Sequence, residues 1–252
     1  MTVFLSIANQ KGGVGKTTTA VNLAHGLTMR GYKVLLVDLD PQGQCAALLG
    51  LEQEAGAFQL LVSEVPPNQV LRATGRKNLD VILGNKKTAT AQAVLSVQRV
   101  PISFTREALK TAQQNGYQYV IIDTAPSAGD LQSQALWASD VVLIPCATDY
   151  LATDGVFSIV DSLKNLEKDF KWKGKIIGVV PTFFDDITRE SKATAQDLYK
   201  HYGELLLKPI HRATILRECA ASGKTIFELA NASRSALEYN QLVDAVEEKT
   251  RI

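Results

Sequence analysis

The sequence predicts a doubly wound α/β fold, a mostly parallel twisted sheet with helices on both faces, in a single domain over residues 1–252. Three observations carry this expectation. Short apolar runs alternate with longer amphipathic ones, the order of strand and crossover helix that a parallel sheet requires. A glycine-rich run from Lys11 to Thr19, KGGVGKTTT, separates the first apolar run from the first helical one. Two later apolar runs end in aspartate, at the strand ends where open α/β sheets bind ligands.

In chain order, residues 3–8, 33–38, 79–83, 119–123, 141–145, 175–181 and 204–207 read as strands, each a short apolar run with polar or turn residues beside it. Residues 16–30, 102–115, 130–138, 153–170, 188–202 and 234–248 read as helices. Gly31 and Gly116 are placed to take the left-handed cap that stops a helix. Residues 50–101 are the least patterned stretch, holding Pro66-Pro67 and a polar run over 85–90. No internal repeat, low-complexity tract or linker divides the chain.

Composition bounds the function. Hydrophobic residues make up 46%, ample for one core, and a net charge of +1 means that any basic surface must be local. Cys45, Cys146 and Cys219 stand far apart without a CxxC pair, which argues against a zinc site or a disulfide framework and for buried packing. The start of the chain is too short for a signal sequence, and no apolar stretch approaches the roughly 20 residues of a membrane helix. A cytoplasmic protein is expected.

The chemistry lies in three motifs. Gly13-Val14-Gly15-Lys16-Thr17 is a phosphate loop: its glycines let backbone N–H groups approach phosphate oxygens, and the following helix adds its positive end. Lys16 would reach the β and γ phosphates, and the Thr17 hydroxyl would ligate Mg²⁺. The bland reading is a glycine-rich turn, but the strand–loop–helix setting is the one the motif needs. Next, Asp38 and Asp40 close the second strand two residues apart, so both point to one side; the bland reading is a turn-capping aspartate. Finally, Tyr119-Val120-Ile121-Ile122-Asp123-Thr124-Ala125-Pro126, an apolar strand ending in aspartate and then a turn, is a Walker B pattern, in which Asp123 would hold Mg²⁺ through water.

With Lys11 five residues ahead of Lys16, these motifs become specific. KGGVGKTTT, LLVDLDPQG and IIDTAPS together resemble the ParA/MinD family of deviant Walker A ATPases, and within it the ParA (Soj-like) partition ATPases. Further matches are Ala138-Ser139-Asp140 with VVLIP, Asp154-Gly155, Val180-Pro181-Thr182, Ile210 with Arg212, and Gly223-Lys224. The resemblance implies a P-loop fold, with ATP and Mg²⁺ bound by Gly12 through Thr18. It makes Lys11 a lysine that crosses an ATP-sandwiched dimer to the partner's phosphates, with Gly12 allowing close approach of the two loops. Asp40 would orient the attacking water, Asp38 would lie by the metal's water shell, and Pro181 and Thr182 would flank the adenine. Three departures stand out: His211 where the family commonly has proline, Cys45 where small or amide residues are usual, and no room for an N-terminal helix-turn-helix, so operator-specific repression is not expected.

The same resemblance implies non-specific DNA binding by the ATP dimer, a nucleoid-associated location, and a ParB-like or small adaptor protein that triggers hydrolysis with a basic peptide. Candidate phosphate contacts are Arg189, Lys192, Arg212, Arg217 and Lys224; Glu190 and Glu218 favour the alternative of a merely solvated face. The MinD branch binds membrane through a basic C-terminal helix. Here the last helix has an apolar stripe (Leu237, Leu242, Val243, Val246) with acidic Asp244, Glu247 and Glu248 opposite, so core packing is expected and membrane binding is not. The cargo would be a plasmid or chromosome, or alternatively a protein organelle such as the carboxysome, as in McdA-type relatives. Rivals of another class are a dethiobiotin-synthetase-like ligase and a nitrogenase-iron-protein-like carrier, the latter lacking suitably spaced cysteines.

Overall fold

A computed structural model describes residues 1–149 and 152–251. The chain runs β1 (Val3–Ile7), α1 (Lys16–Met29), β2 (Val34–Leu39), α2 (Gln44–Leu49), α3 (Gly56–Leu61), α4 (Pro67–Val70), β3 (Arg72–Ala73), β4 (Leu79–Ile82), α5 (Lys87–Gln98), α6 (Phe104–Ala108) and α7 (Thr111–Gln114). It continues β5 (Tyr119–Thr124), α8 (Asp130–Ala138), β6 (Val141–Ala147), α9 (Ala152–Phe170), β7 (Lys175–Thr182), α10 (Arg189–Tyr202), α11 (Thr214–Ser222), α12 (Ile226–Leu229) and α13 (Arg234–Thr250). The strands form one sheet in the order β3-β4-β2-β5-β1-β6-β7. Every pairing is parallel except that of the two-residue edge strand β3 with β4.

The strands are apolar throughout because helices cover both faces. Alternation still sorts the residues: Val34 and Leu36 of β2 enter the core under α1, α2 and α13, while Leu35 and Val37 enter the one under α3, α5 and α8. A third cluster sits between β6, β7 and α9, where Val156, Ile159, Leu163 and Leu166 follow the helical repeat. This is the doubly wound architecture the sequence implied, and the left-handed stops at Gly31 (φ 96°) and Gly116 (φ 76°) are present.

Three expectations change. Residues 204–207 are not a strand. Gly203–Leu205 is a 3-10 turn, and only Leu206 makes a single parallel bridge, to Val179. The helix expected over 102–115 is two short ones, because Lys110, Ala112 and Gln113 bond three residues back and tighten the chain there. On α13, Leu242, Val243 and Val246 are buried as expected, but Leu237 is 58% exposed and lies outside the stripe. The unpatterned stretch proves to hold α3, α4, β3 and α5 around the expected β4. No helix among the described residues is long and apolar enough to cross a membrane.

Candidate active site

The carboxyl ends of β1, β2, β5 and β7 converge on one site. After β1, the Asn9 side chain donates to the Pro145 carbonyl (2.8 Å) and accepts from the Lys11 amide (2.8 Å), which pins the loop entrance. Gly13 (φ 73°) and Gly15 (φ 85°) are left-handed, and α1 opens at Lys16. Its ammonium is buried and donates to the Lys11 carbonyl (3.0 Å). Burial pulls the Lys16 ammonium below its ordinary range, while Asp123 and Asp40 pull it back up.

The parallel register of β2 and β5 sets Asp38 beside Asp123, both fully buried. Asp38 accepts from the amides of Asp40 (3.0 Å) and Cys45 (3.2 Å). Burial raises its carboxyl to about 7 against those hydrogen bonds. Asp123 is raised well above the carboxylate range, by burial first and by Asp38 next, while the facing Thr17 side chain lowers it. One Asp123 oxygen accepts from the Cys45 thiol (3.6 Å); the other, Oδ1, is buried without a hydrogen-bond partner. The ligand atoms of Asp38, Cys45 and Asp123 lie within 4.8 Å of one another. Two adjacent buried carboxylates, one of them with an orphaned oxygen, suit a hard divalent cation, so the residues fit Mg²⁺.

Asp40 is partly exposed and lines a cavity of about 340 Å³ with Gly12, Gly13, Gly15, Lys16, Thr17 and Thr18. A second cavity, of about 380 Å³, adjoins it through Gly15, Thr18 and Phe183, and is lined by Thr182, Ile210, His211, Arg212, Arg217 and Tyr239. The loop cavity and this second cavity thus share a wall. Thr182 donates to the Val14 carbonyl (2.8 Å), tying β7 to the loop. Pro181 does not line either cavity; its carbonyl accepts from the Ile210 amide, which lies beside the second cavity.

The remaining sequence candidates fall as follows. Lys11 stands at the loop mouth, its Nζ 2.7 Å from Asp149 Oδ1. Gly12 is exposed, and a Cβ there would meet nothing within 4 Å, so no contact among the described residues demands glycine. Arg189, Lys192, Arg212, Arg217 and Lys224 are all exposed, and none pairs with a carboxylate among the described residues. Arg189 and Lys192 share the first turn of α10, whereas Arg212 and Arg217 border the second cavity, with Arg212 5.6 Å over the Phe183 ring.

Sequence reasoning missed the roles of four residues, two of which it had named. Phe183 (φ 51°) bridges the two cavities, and nothing in its neighbours signals that conformation. Asp149 has no motif. Gly155 sits where a Cβ would lie 2.1 Å from Asn9 Oδ1 and 3.0 Å from Lys11 Cβ, so α9 packs against the loop only as glycine. Cys45 is more than packing, since its amide and thiol hold both buried carboxylates.

An AAA domain family matches residues 2–176. The chain is 36% identical to the sporulation initiation inhibitor protein Soj of Bacillus subtilis, over 96% of this chain and 97% of that one. It is 34% identical to the chromosome-partitioning ATPase Soj of Thermus thermophilus, over 96% and 94%. The chain belongs to the ParA/MinD family of ATPases. Its fold matches the Cyanothece McdA(D38A)–ATP complex with a TM-score of 0.88, at 23% identity over 100% and 97% of the chains. It also matches a Mycobacterium smegmatis structure named cobyrinic acid a,c-diamide synthase, with bound ATP analogue and magnesium, with a TM-score of 0.84 at 30% identity over 100% and 98%. In this ParA/MinD-family ATPase the loop, the paired carboxylates and the two adjoining cavities lie together.

Proposed function

We propose that the protein is a ParA-type positioning switch: ATP joins two copies, the dimer binds nucleoid DNA without sequence preference, and a cargo-bound partner triggers hydrolysis. The observation that carries this reading is Lys11, which stands at the mouth of the phosphate loop with its side chain one-third exposed. A lysine there is available to a second copy's phosphates, which makes dimerisation depend on the triphosphate.

In this reading the backbone N–H groups of residues 12–18 cradle the phosphates, Lys16 leaves the Lys11 carbonyl for the β and γ oxygens, and Thr182 and Phe183 face the base. Asp40 orients the attacking water. Thr17, Asp38 and Asp123 would hold Mg²⁺, whose charge would offset that of the phosphates. Arg189, Lys192, Arg212, Arg217 and Lys224 would contact DNA phosphates, with affinity falling steeply as salt rises. The cargo is a plasmid or chromosome carried by a ParB-like protein, or a protein organelle carried by a small adaptor; the McdA fold likeness fits the second equally well.

The test is sedimentation with and without ATP for the parent and Lys11→Gln. Loss of the ATP-dependent dimer and of DNA retention is expected; a variant that still dimerises and binds DNA with ATP would sink this reading. A second reading, ATP-dependent activation of a small carboxylate, is favoured by the likeness to the protein named as a diamide synthase. A burst of ADP that needs a small substrate and ignores DNA and dilution would select it.

A further inference from the structure

The opposite end of the sheet, at the amino ends of β6 and β7, holds a cavity of about 410 Å³ that the ATPase reading does not use. Its walls include Trp137 and Trp172, the two tryptophans of the chain. Both indole N–H groups are tied to backbone carbonyls, Trp137 to Phe170 (3.0 Å) and Trp172 to Ser139 (2.9 Å). Gly174 is required beside them, because a Cβ there would lie 2.3 Å from the Trp172 ring. The rings are therefore held in place before anything binds, which lowers the entropy cost of binding.

The rim is basic. Residues 164–175 carry five lysines against two acids, while the whole chain is only +1. Lys168, Lys171, Lys173 and Lys175 are exposed, and none forms an ion pair among the described residues. Lys168 and Lys171 complement the carboxyl end of α9, but Lys173 and Lys175 lie beyond it, so the helix end does not account for the cluster. Arg106 adds a guanidinium at the cavity edge, paired with Asp140 (3.0 Å). Phe170, half exposed, extends the apolar surface.

We propose that this cavity is a docking site for an acidic, partly apolar segment of a partner protein. Charge complementarity and fixed aromatic walls suit carboxylates on the lysines and an apolar side chain over the indoles. Asp140 interrupts the rim, Glu167 and Asp169 lie in the segment just before it, and the surface is concave; a peptide can thread such a pattern, whereas the unbroken phosphates of duplex DNA would meet those acids. The basic trigger peptide of the positioning reading would be repelled here, so the occupant is a different segment, and the inference stands apart from that reading.

Because both tryptophans line the cavity, tryptophan emission reports its occupancy. The full chain would be titrated with a labelled peptide alternating glutamate and leucine, with its lysine-for-glutamate counterpart, and with duplex DNA, reading emission and peptide anisotropy together. The glutamate peptide should bind saturably, shift the emission, weaken as salt rises, and lose about tenfold or more in affinity in Lys171→Glu/Lys173→Glu. Both changed side chains are exposed, and ATP turnover at the parent rate would confirm the variant's fold. The proposal is overturned if the glutamate peptide does not bind, if it binds without moving the emission, if the double variant binds as the parent does, or if the lysine peptide or DNA shifts the tryptophan emission as strongly as the glutamate peptide does.

Discussion

Lys11 Nζ lies 2.7 Å from Asp149 Oδ1, so the lysine proposed to reach a second copy is held by a carboxylate of its own chain. Both side chains are substantially exposed, at 33% and 51%, and a pair in that setting is worth about 1 kcal/mol or less. That is weak enough for the phosphates of a second site to displace.

Removing this competitor should favour assembly. Asp149→Asn is expected to lower the ATP concentration for half-maximal dimerisation by up to about fivefold, the equivalent of about 1 kcal/mol. Sedimentation across an ATP series checks it, and an unchanged midpoint would mean that the contact does not restrain Lys11.

Asp40 lines the loop cavity without being buried with Asp38 and Asp123. Asp40→Ala should slow turnover by about a hundredfold or more while ATP binding and the dimer persist. Steady-state phosphate release beside nucleotide affinity separates the two effects; parent-rate hydrolysis would remove its water-positioning role.

Asp38 yields a pH prediction. Burial raises its folded carboxyl to about 7, above the ordinary 3.8, so between those values the folded chain holds a proton the unfolded chain has lost. Its contribution to stability without metal therefore falls as pH rises from about 4 to about 7, and is level above. Asp38→Asn should remove that slope, so the stability difference between variant and parent grows with pH across this window. Denaturant titrations from pH 5 to 8 in chelator would show it, and a pH-independent difference would contradict the burial argument.

Gly155→Ala tests the packing of α9 on the loop. The new Cβ would collide with Asn9 Oδ1, which is already committed to the Lys11 amide, so the loop entrance must shift. A stability loss of about 1–3 kcal/mol with weaker ATP binding is expected. Thermal melts and nucleotide titrations measure both; parent-like values would show that the entrance relaxes freely.

Much of the site was legible because it is local. The phosphate loop is a contiguous backbone conformation, and Asp38, Asp40 and Asp123 end apolar runs that could only be buried strands. The reading failed where local signals were short or conflicting. Four-residue α4 and two-residue β3 span about one period each, too little for a repeat to show, and residues 204–207 look like a strand but meet β7 at one bridge only. Leu237 belongs to the stripe by spacing, yet α13 turns it outward.

The sequence by itself determined the fold class, the phosphate loop, its extra lysine and the carboxylates at the strand ends, since each follows from residues adjacent in the chain and from the periods of helix and strand. Only the tertiary structure decided what meets what: Asp38 beside Asp123 by strand register, Lys11 on Asp149 across 138 positions, Cys45 on both carboxylates, and two tryptophans on one basic-rimmed cavity. Those contacts join elements that are distant in the chain, and they are set by how the sheet and helices pack rather than by any neighbour in sequence.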